Sequence, residues 1–201
     1  MKTINKELYE YSDIIQPKNS ELLEVILQNL SDINTDFEWY DDVINDFKEQ
    51  LEKIGMTNSE VAFSGFWSQG DGASFTCTCF DIGKLLSHFR IKSTHCLNFL
   101  DGNLNVSIKR LSARYSHEKT TFVDVELFYS KSLNQHKRFE NEIDRIWLDL
   151  VHDLENYRRL KSVELYKRLQ DCYEELSSRQ AILETIELND YTFNSEGKIE
   201  S

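Results

Sequence analysis

Val61-Ala62-Phe63-Ser64-Gly65-Phe66-Trp67-Ser68-Gln69-Gly70-Asp71-Gly72-Ala73-Ser74-Phe75-Thr76-Cys77-Thr78-Cys79-Phe80 reads as two β-strands joined by a glycine-bearing turn. Val61, Phe63 and Gly65 alternate with Ala62, Ser64 and Phe66 in the first strand. The second runs from about Ala73 to Phe80, with Phe75, Cys77 and Cys79 on one face and Ser74, Thr76 and Thr78 on the other. Between them, Ser68, Gln69, Gly70, Asp71 and Gly72 make a tight connection whose close glycines fit a hairpin with residues at positive φ. Side chains at successive strand positions point to opposite faces, so one of Phe66 and Trp67 must leave the core side.

Upstream, residues 20–31 carry Leu22, Leu23, Ile26, Leu27 and Leu30 at helical spacing, with Asn19 or Ser20 placed to cap them. A second helix is expected from about Phe37 to Ile54, with Asp36 as N-cap. Glu38, Asp41 and Asp42 then load the positive end of its dipole. Tyr40, Val43, Ile44, Phe47, Leu51 and Ile54 form its buried stripe, and Gly55 stands in the C′ position.

Downstream, Asp81 is placed to cap a short helix containing Ile82, Leu85, Leu86 and Phe89. Residues 103–115 and 120–129 read as a second hairpin. There the apolar phase shifts between Ile108 and Leu111, which predicts a bulge or bend near Lys109 and Arg110. A long helix follows from about Gln135 to Leu176, with Phe139, Ile143, Trp147, Leu150, Leu154 and Tyr157 in one stripe and Leu165, Leu169, Cys172 and Leu176 in another. Arg158, Arg159 and Lys161 separate the stripes, so the helix is expected to bend there or to turn a different face to its surroundings. It carries more apolar stripe than a short sheet needs, so pairing with a second copy of the chain is a candidate homo-oligomer contact. Ser177 or Ser178 caps a last helix, and Tyr191–Ile199 reads as a short two-stranded turn around Ser195, Glu196 and Gly197. The fold class is therefore α+β: two hairpins, about four strands, packed with amphipathic helices. We expect one domain over 1–201, with a helical part at 1–58, a sheet part at 59–130 and a helical part at 131–201.

Composition bounds the function. About 40% of the 201 residues are apolar and aromatics are plentiful, so a sizeable core can be buried. The net charge of −12 is uneven: residues 1–60 carry 14 acids against 5 bases, residues 61–135 carry 6 against 8, and residues 136–201 carry 15 against 10. Nucleic-acid affinity comes mainly from neutralised phosphates, so this balance argues against nucleic acid as a partner. It permits a basic protein partner, or mimicry of DNA. No apolar run approaches the length of a membrane span, and the first residues lack the apolar region of a signal peptide. The spacing of Cys77, Cys79, Cys96 and Cys172 shows neither a disulfide framework nor a metal knuckle, and a reducing cytoplasm is the expected compartment.

Motifs that carry chemistry are missing. The loop lacks the Lys-Ser/Thr of a nucleotide-binding P-loop, and a strand follows where a dinucleotide fingerprint needs a helix. Zinc at Cys77 and Cys79 would need two more ligands from His88, His95 and Cys96, at a spacing that matches no standard site, so core cysteines are expected. Asp41, Asp42 and Asp46 share a helix and read as a solvated acidic face rather than a cation site. No cofactor and no catalytic set is expected. The candidate binding residues are Phe66, Trp67, Ser68, Gln69, Gly70, Asp71 and Gly72 of the hairpin, with Trp39, Asp41 and Asp42 of the acidic helix. The competing reading is a small-ligand or nucleotide site, or an enzyme, in which Gln69, Asp71 and Arg110 or Arg114 converge on a closed pocket.

Three blocks occur in order: Phe37-Glu38-Trp39-Tyr40 followed by Asp46-Phe47; Phe63 to Phe75; and Ser178-Arg179-Gln180-Ala181-Ile182-Leu183-Glu184-Thr185-Ile186-Glu187 leading to Asn189-Asp190-Tyr191-Thr192-Phe193 and Gly197-Lys198-Ile199. Together they resemble a family of phage and prophage proteins of about this length, loosely labelled antitoxin-like. The resemblance implies a protein that acts inside a bacterial cell by binding a macromolecule, such as a toxin or a defence effector of the CRISPR or restriction kind. It supplies no catalytic residues, and the stretch between the second and third blocks lies outside it.

Overall fold

The computed structural model describes residues 7–93, 100, 103–111, 114–128 and 133–200, with side chains in the last span from residue 140 onward. The chain is α+β. In order it forms α1 (Tyr11–Ile14), a 3-10 turn (Pro17–Asn19), α2 (Ser20–Asn29), α3 (Asp41–Lys53), β1 (Met56–Ser64), β2 (Gly72–Phe80), α4 (Ile82–His88), β3 (Leu104–Arg110), β4 (Thr121–Leu127), α5 (Leu133–Leu176) and α6 (Arg179–Leu188). The sheet order is β1-β2-β3-β4, every neighbouring pair antiparallel. The β1–β2 and β3–β4 turns therefore emerge at the same end of the sheet. His95 and Cys96, weighed above as zinc ligands, lie outside the described residues.

The chain divides into two compact units. One unit is Met1–Asp41 with Gln170–Ser201, and the other is Asp42–Leu169. In the first, Ile14, Leu23, Ile26, Ile182, Ile186 and Phe193 form a buried cluster. Antiparallel bridges join Phe193 to Tyr9 and to Ile199, and Gly197 at φ 72° makes the expected terminal turn. Asn19 precedes α2 as expected, but its side-chain amide donates to the Asp13 carbonyl at 2.9 Å and does not cap the helix. Ser178 does cap α6, accepting from the Ala181 amide at 3.2 Å.

Helix α3 begins at Asp41, five residues beyond Asp36, and enters the second unit at Asp42. Before it, the Trp39 amide donates to the Phe37 carbonyl and the Asp41 amide to that of Glu38, so this stretch is a run of turns and Phe37 faces solvent. Asp41 and Asp42 still occupy the first helical turn, where the dipole favours carboxylates. Gly55, at φ 92°, ends the helix as expected. Phe47 of α3 meets Phe75 of β2 edge-on, with centroids 5.4 Å apart, and both are fully buried. Asp81 caps α4, accepting from the Lys84 amide at 2.9 Å.

Three expectations need correction. The phase shift after Ile108 is the end of a strand and not a bulge. Register runs unbroken from Leu104↔Leu127 to Arg110↔Thr121, and Leu111 then turns to solvent. Cys77 is buried, but Cys79 is exposed, because the end of β2 runs beyond the packed core. The buried line of α5 also continues through the basic stretch. Ile143, Ile146, Leu150, Leu154, Arg158, Ser162, Leu165 and Leu169 are all buried at helical spacing, so the residue types change while the face does not.

That line explains how the sheet's last edge is covered. Trp147 Nε1 donates to the Val125 carbonyl at 3.1 Å, and a Glu155 carboxylate oxygen accepts from the Val123 amide at 3.2 Å. Val123 and Val125 are two apart, so these groups point away from β3 along one edge of β4. Arg158 then reaches Thr121 Oγ1 at 2.8 Å and the Glu118 carbonyl. Side chains of one helix thus satisfy backbone groups that an open edge would offer to another chain.

Candidate functional site

The end of the sheet that carries both turns gathers most of the predicted binding residues. Ser64 pairs with Gly72, leaving residues 65–71 as the loop. Phe66 folds back, 6.2 Å from Phe63 and 5.7 Å from Tyr166 of α5 between ring centroids. Trp67 is 70% exposed and meets the Phe66 ring edge-on, 6.3 Å between centroids. Phe66 is half-buried and Trp67 is exposed, so one of the two leaves the core side as expected, but both stand in the loop beyond β1 and not at alternating strand positions.

Asp71 holds the loop in shape. One carboxylate oxygen accepts from the Trp67 amide at 3.0 Å and the Ser68 amide at 2.7 Å, while the Asp71 amide donates to the Ser68 carbonyl at 3.0 Å. A carboxylate committed to two amides braces the indole-bearing turn from within. Burial, with the Asp71 charge adding to it, raises the Tyr166 hydroxyl pKa above its ordinary value. Ser68 and Gln69 are exposed.

The glycines have two different reasons. Gly70 sits at φ 99°, a conformation that L side chains rarely adopt, against the Tyr115 ring. Gly72 is absent from the positive-φ positions, contrary to the expectation for it, and is required by space. A Cβ there would lie 2.5 Å from the Cβ of His117. The two turns are therefore packed together, and Tyr115 and His117 of the second turn belong to the site although sequence reasoning did not single them out. Arg114 lies over the Tyr115 ring at 5.2 Å from its centroid. Tyr115 is 42% exposed and Leu111 is 64% exposed, so the second turn adds apolar surface at the same end of the sheet as Trp67.

The other candidates stand on other elements. Trp39 is half-buried, edge-on to Tyr40 at 5.7 Å and tilted against Tyr173 at 5.6 Å. It belongs to the first unit, and the hairpin belongs to the second. Asp41 and Asp42 are exposed on α3. Asp46, which shares their helix, is ion-paired with Arg168, and that hydrogen bond holds its carboxyl pKa below the ordinary value. Among the described residues, no three His, Cys, Asp or Glu side chains gather closely enough to hold a metal ion. The closed-pocket reading asks Asp71 to face a ligand, whereas its carboxylate turns into its own loop. Among the described residues, no helix is long and apolar enough to cross a membrane.

A family model described as a domain of unknown function (DUF8835) matches residues 39–179, and the chain belongs to that family. The match takes in the sheet and both turns. No curated protein and no solved structure matches the chain.

Proposed function

We propose that this DUF8835 protein works by binding another protein through the paired turns at the end of its sheet. The target, on this reading, is a bacterial toxin or host-defence factor, which the protein neutralises in the bacterial cytoplasm without bond-breaking chemistry of its own. One observation carries the proposal: the exposed Trp67 indole on a loop whose shape is set by Asp71 and Phe66. Tryptophan, tyrosine and arginine supply most binding hot spots, and a braced loop loses little conformational entropy on docking. Tyr115, Arg114 and Leu111 supply the surrounding contact area. The resemblance to antitoxin-like phage and prophage proteins supports the class of target.

Affinity capture from a bacterial lysate, read by mass spectrometry, tests this with wild type and Trp67→Ala side by side. A single stoichiometric protein retained by the wild type and lost with the variant is the expected result. Recovery of no stoichiometric protein, or equal recovery by both baits, would sink the reading.

A further inference from the structure

The apolar surface that begins at Trp67 continues along α5. Phe66 links the indole, 6.3 Å away, to Tyr166, 5.7 Å away. From Tyr166 the helix steps back in threes to Val163 and Leu160, neighbours on one helical surface, and these are 53% and 72% exposed. Arg159, Val163 and Lys167 lie on a second row, four apart, so Val163 sits between two cations. Exposed aliphatic side chains at consecutive turns are not needed for the core, which α5 serves with its opposite line through Leu154, Arg158, Ser162 and Leu165.

The charge of this track is opposite to that of the chain. Residues 159–168 contain four bases, Arg159, Lys161, Lys167 and Arg168, and one acid, Glu164, in a protein of net charge −12. Two of these bases are already paired: Lys161 with Glu164 and Arg168 with Asp46. Arg159 and Lys167 are exposed, and Arg159 acts on the Glu155 carboxylate through its charge.

We infer that the track from Trp67 to Leu160 docks an acidic, apolar peptide segment of the partner, its hydrophobic side chains on Trp67, Val163 and Leu160 and its carboxylates on Arg159 and Lys167. The inference rests on the protein-binding reading above and adds the chemistry of what is bound. A nucleic acid fits less well. Two exposed cations release few counterions, and the acidic remainder of the chain repels a polyanion. A short segment rich in Asp, Glu, Leu and Phe needs only those two charges, because burial of its apolar side chains supplies the rest.

The test is selection of a random twelve-residue peptide library, displayed on filamentous phage, against the immobilised full chain. Three proteins are compared: wild type, Arg159→Glu with Lys167→Glu, and Trp67→Ala, each checked for folding by circular dichroism. Enriched peptides are re-measured as synthetic peptides by fluorescence anisotropy beside a fifteen-nucleotide oligo-dT. Wild type is expected to enrich peptides combining acids with large apolar residues, and both variants are expected to bind them at least tenfold more weakly. A neutral or basic consensus, no enrichment, or tighter binding of oligo-dT than of any selected peptide overturns the inference. Loss with Trp67→Ala but full binding by the charge-reversed variant overturns the acidic-peptide assignment and leaves the protein-binding surface standing. Full binding by both variants removes both.

Discussion

Arg158 and Glu155 stand one helical turn apart on α5 and are joined through both guanidinium and carboxylate, with the Nε contact at 3.1 Å. The arginine side chain is almost wholly buried, and the glutamate is about one-third exposed. Each partner also holds β4: Glu155 accepts from the Val123 amide and Arg158 donates to Thr121 Oγ1. The pair thus joins helix to sheet edge as well as charge to charge.

Removing one side of such a pair leaves the other uncompensated, so Arg158→Met is expected to lose about 3 kcal/mol of stability in urea titration. Glu155→Gln leaves the buried guanidinium without its counter-charge and is expected to cost a comparable amount, although an amide oxygen can still accept from Val123. The pH dependence has a definite sign. The hydrogen bond from Arg158 holds the Glu155 carboxyl pKa below its ordinary value of 4.5, so the folded-state pKa is depressed. Stability from the pair is then present above the unfolded carboxyl range and is lost as pH falls through the folded value. The gap between wild type and Glu155→Gln should be full at pH 7 and shrink below pH of about 4. A gap that is constant with pH would contradict the pairing.

Gly72 and Gly70 separate two costs that sequence alone does not distinguish. At Gly72 an added methyl meets the backbone and Cβ of His117, atoms that cannot swing away, so Gly72→Ala is expected to cost about 2 kcal/mol or more by overpacking. At Gly70 the contact is the side of the Tyr115 ring at 3.2 Å, and the penalty is mainly the positive φ. Gly70→Ala should cost about 1 kcal/mol. Thermal unfolding of the two variants checks the order, and adding Tyr115→Ala should relieve neither the Gly72 clash nor the φ strain at Gly70.

Features set by neighbouring residues were legible before the structure. Gly55 after Ile54, Asp81 three residues before Lys84, Ser178 before Ala181 and the exposure of one of Phe66 and Trp67 are local features. What was hidden depends on residues far apart in the chain. Arg158 reads as a break in an apolar stripe until Glu118, Thr121 and Glu155 are brought to it. Asp71 reads as an offered carboxylate until the loop closes and supplies two amides. Tyr115, His117 and Tyr166 joined the site only because the sheet order places both turns at one end and α5 alongside the first. Helix α3 starts late for a related reason: its early aromatic, Trp39, packs on Tyr173, far away in sequence.

The cysteines of β2 should differ sharply in reactivity. Cys77 is fully buried, its thiol lies 3.1 Å from the Thr57 carbonyl, and burial pushes its pKa up to about 11. Cys79, two residues on, is exposed. Iodoacetamide at pH 8 under native conditions, followed by peptide mass spectrometry, should label Cys79 readily and Cys77 only after denaturant is added, since the reactive species is the thiolate. Equal labelling of both in the native protein would mean that β2 does not hold Cys77 in the core.

Phe66 and Trp67 give the sharpest contrast between folding and function, since these adjacent aromatic residues differ in burial. Phe66 lies between Phe63 and Tyr166, and Phe66→Ala is expected to cost about 2 kcal/mol through lost packing. Trp67 is mostly in solvent, and Trp67→Ala should change stability by less than about 0.5 kcal/mol. Urea unfolding of both variants, set beside capture of the partner, separates the roles. If Trp67 is a docking residue, its loss abolishes capture in a protein as stable as the wild type, an outcome that general destabilisation cannot imitate. If Trp67→Ala instead unfolds the chain as readily as Phe66→Ala, the indole is part of the fold and the turn has been assigned the wrong task.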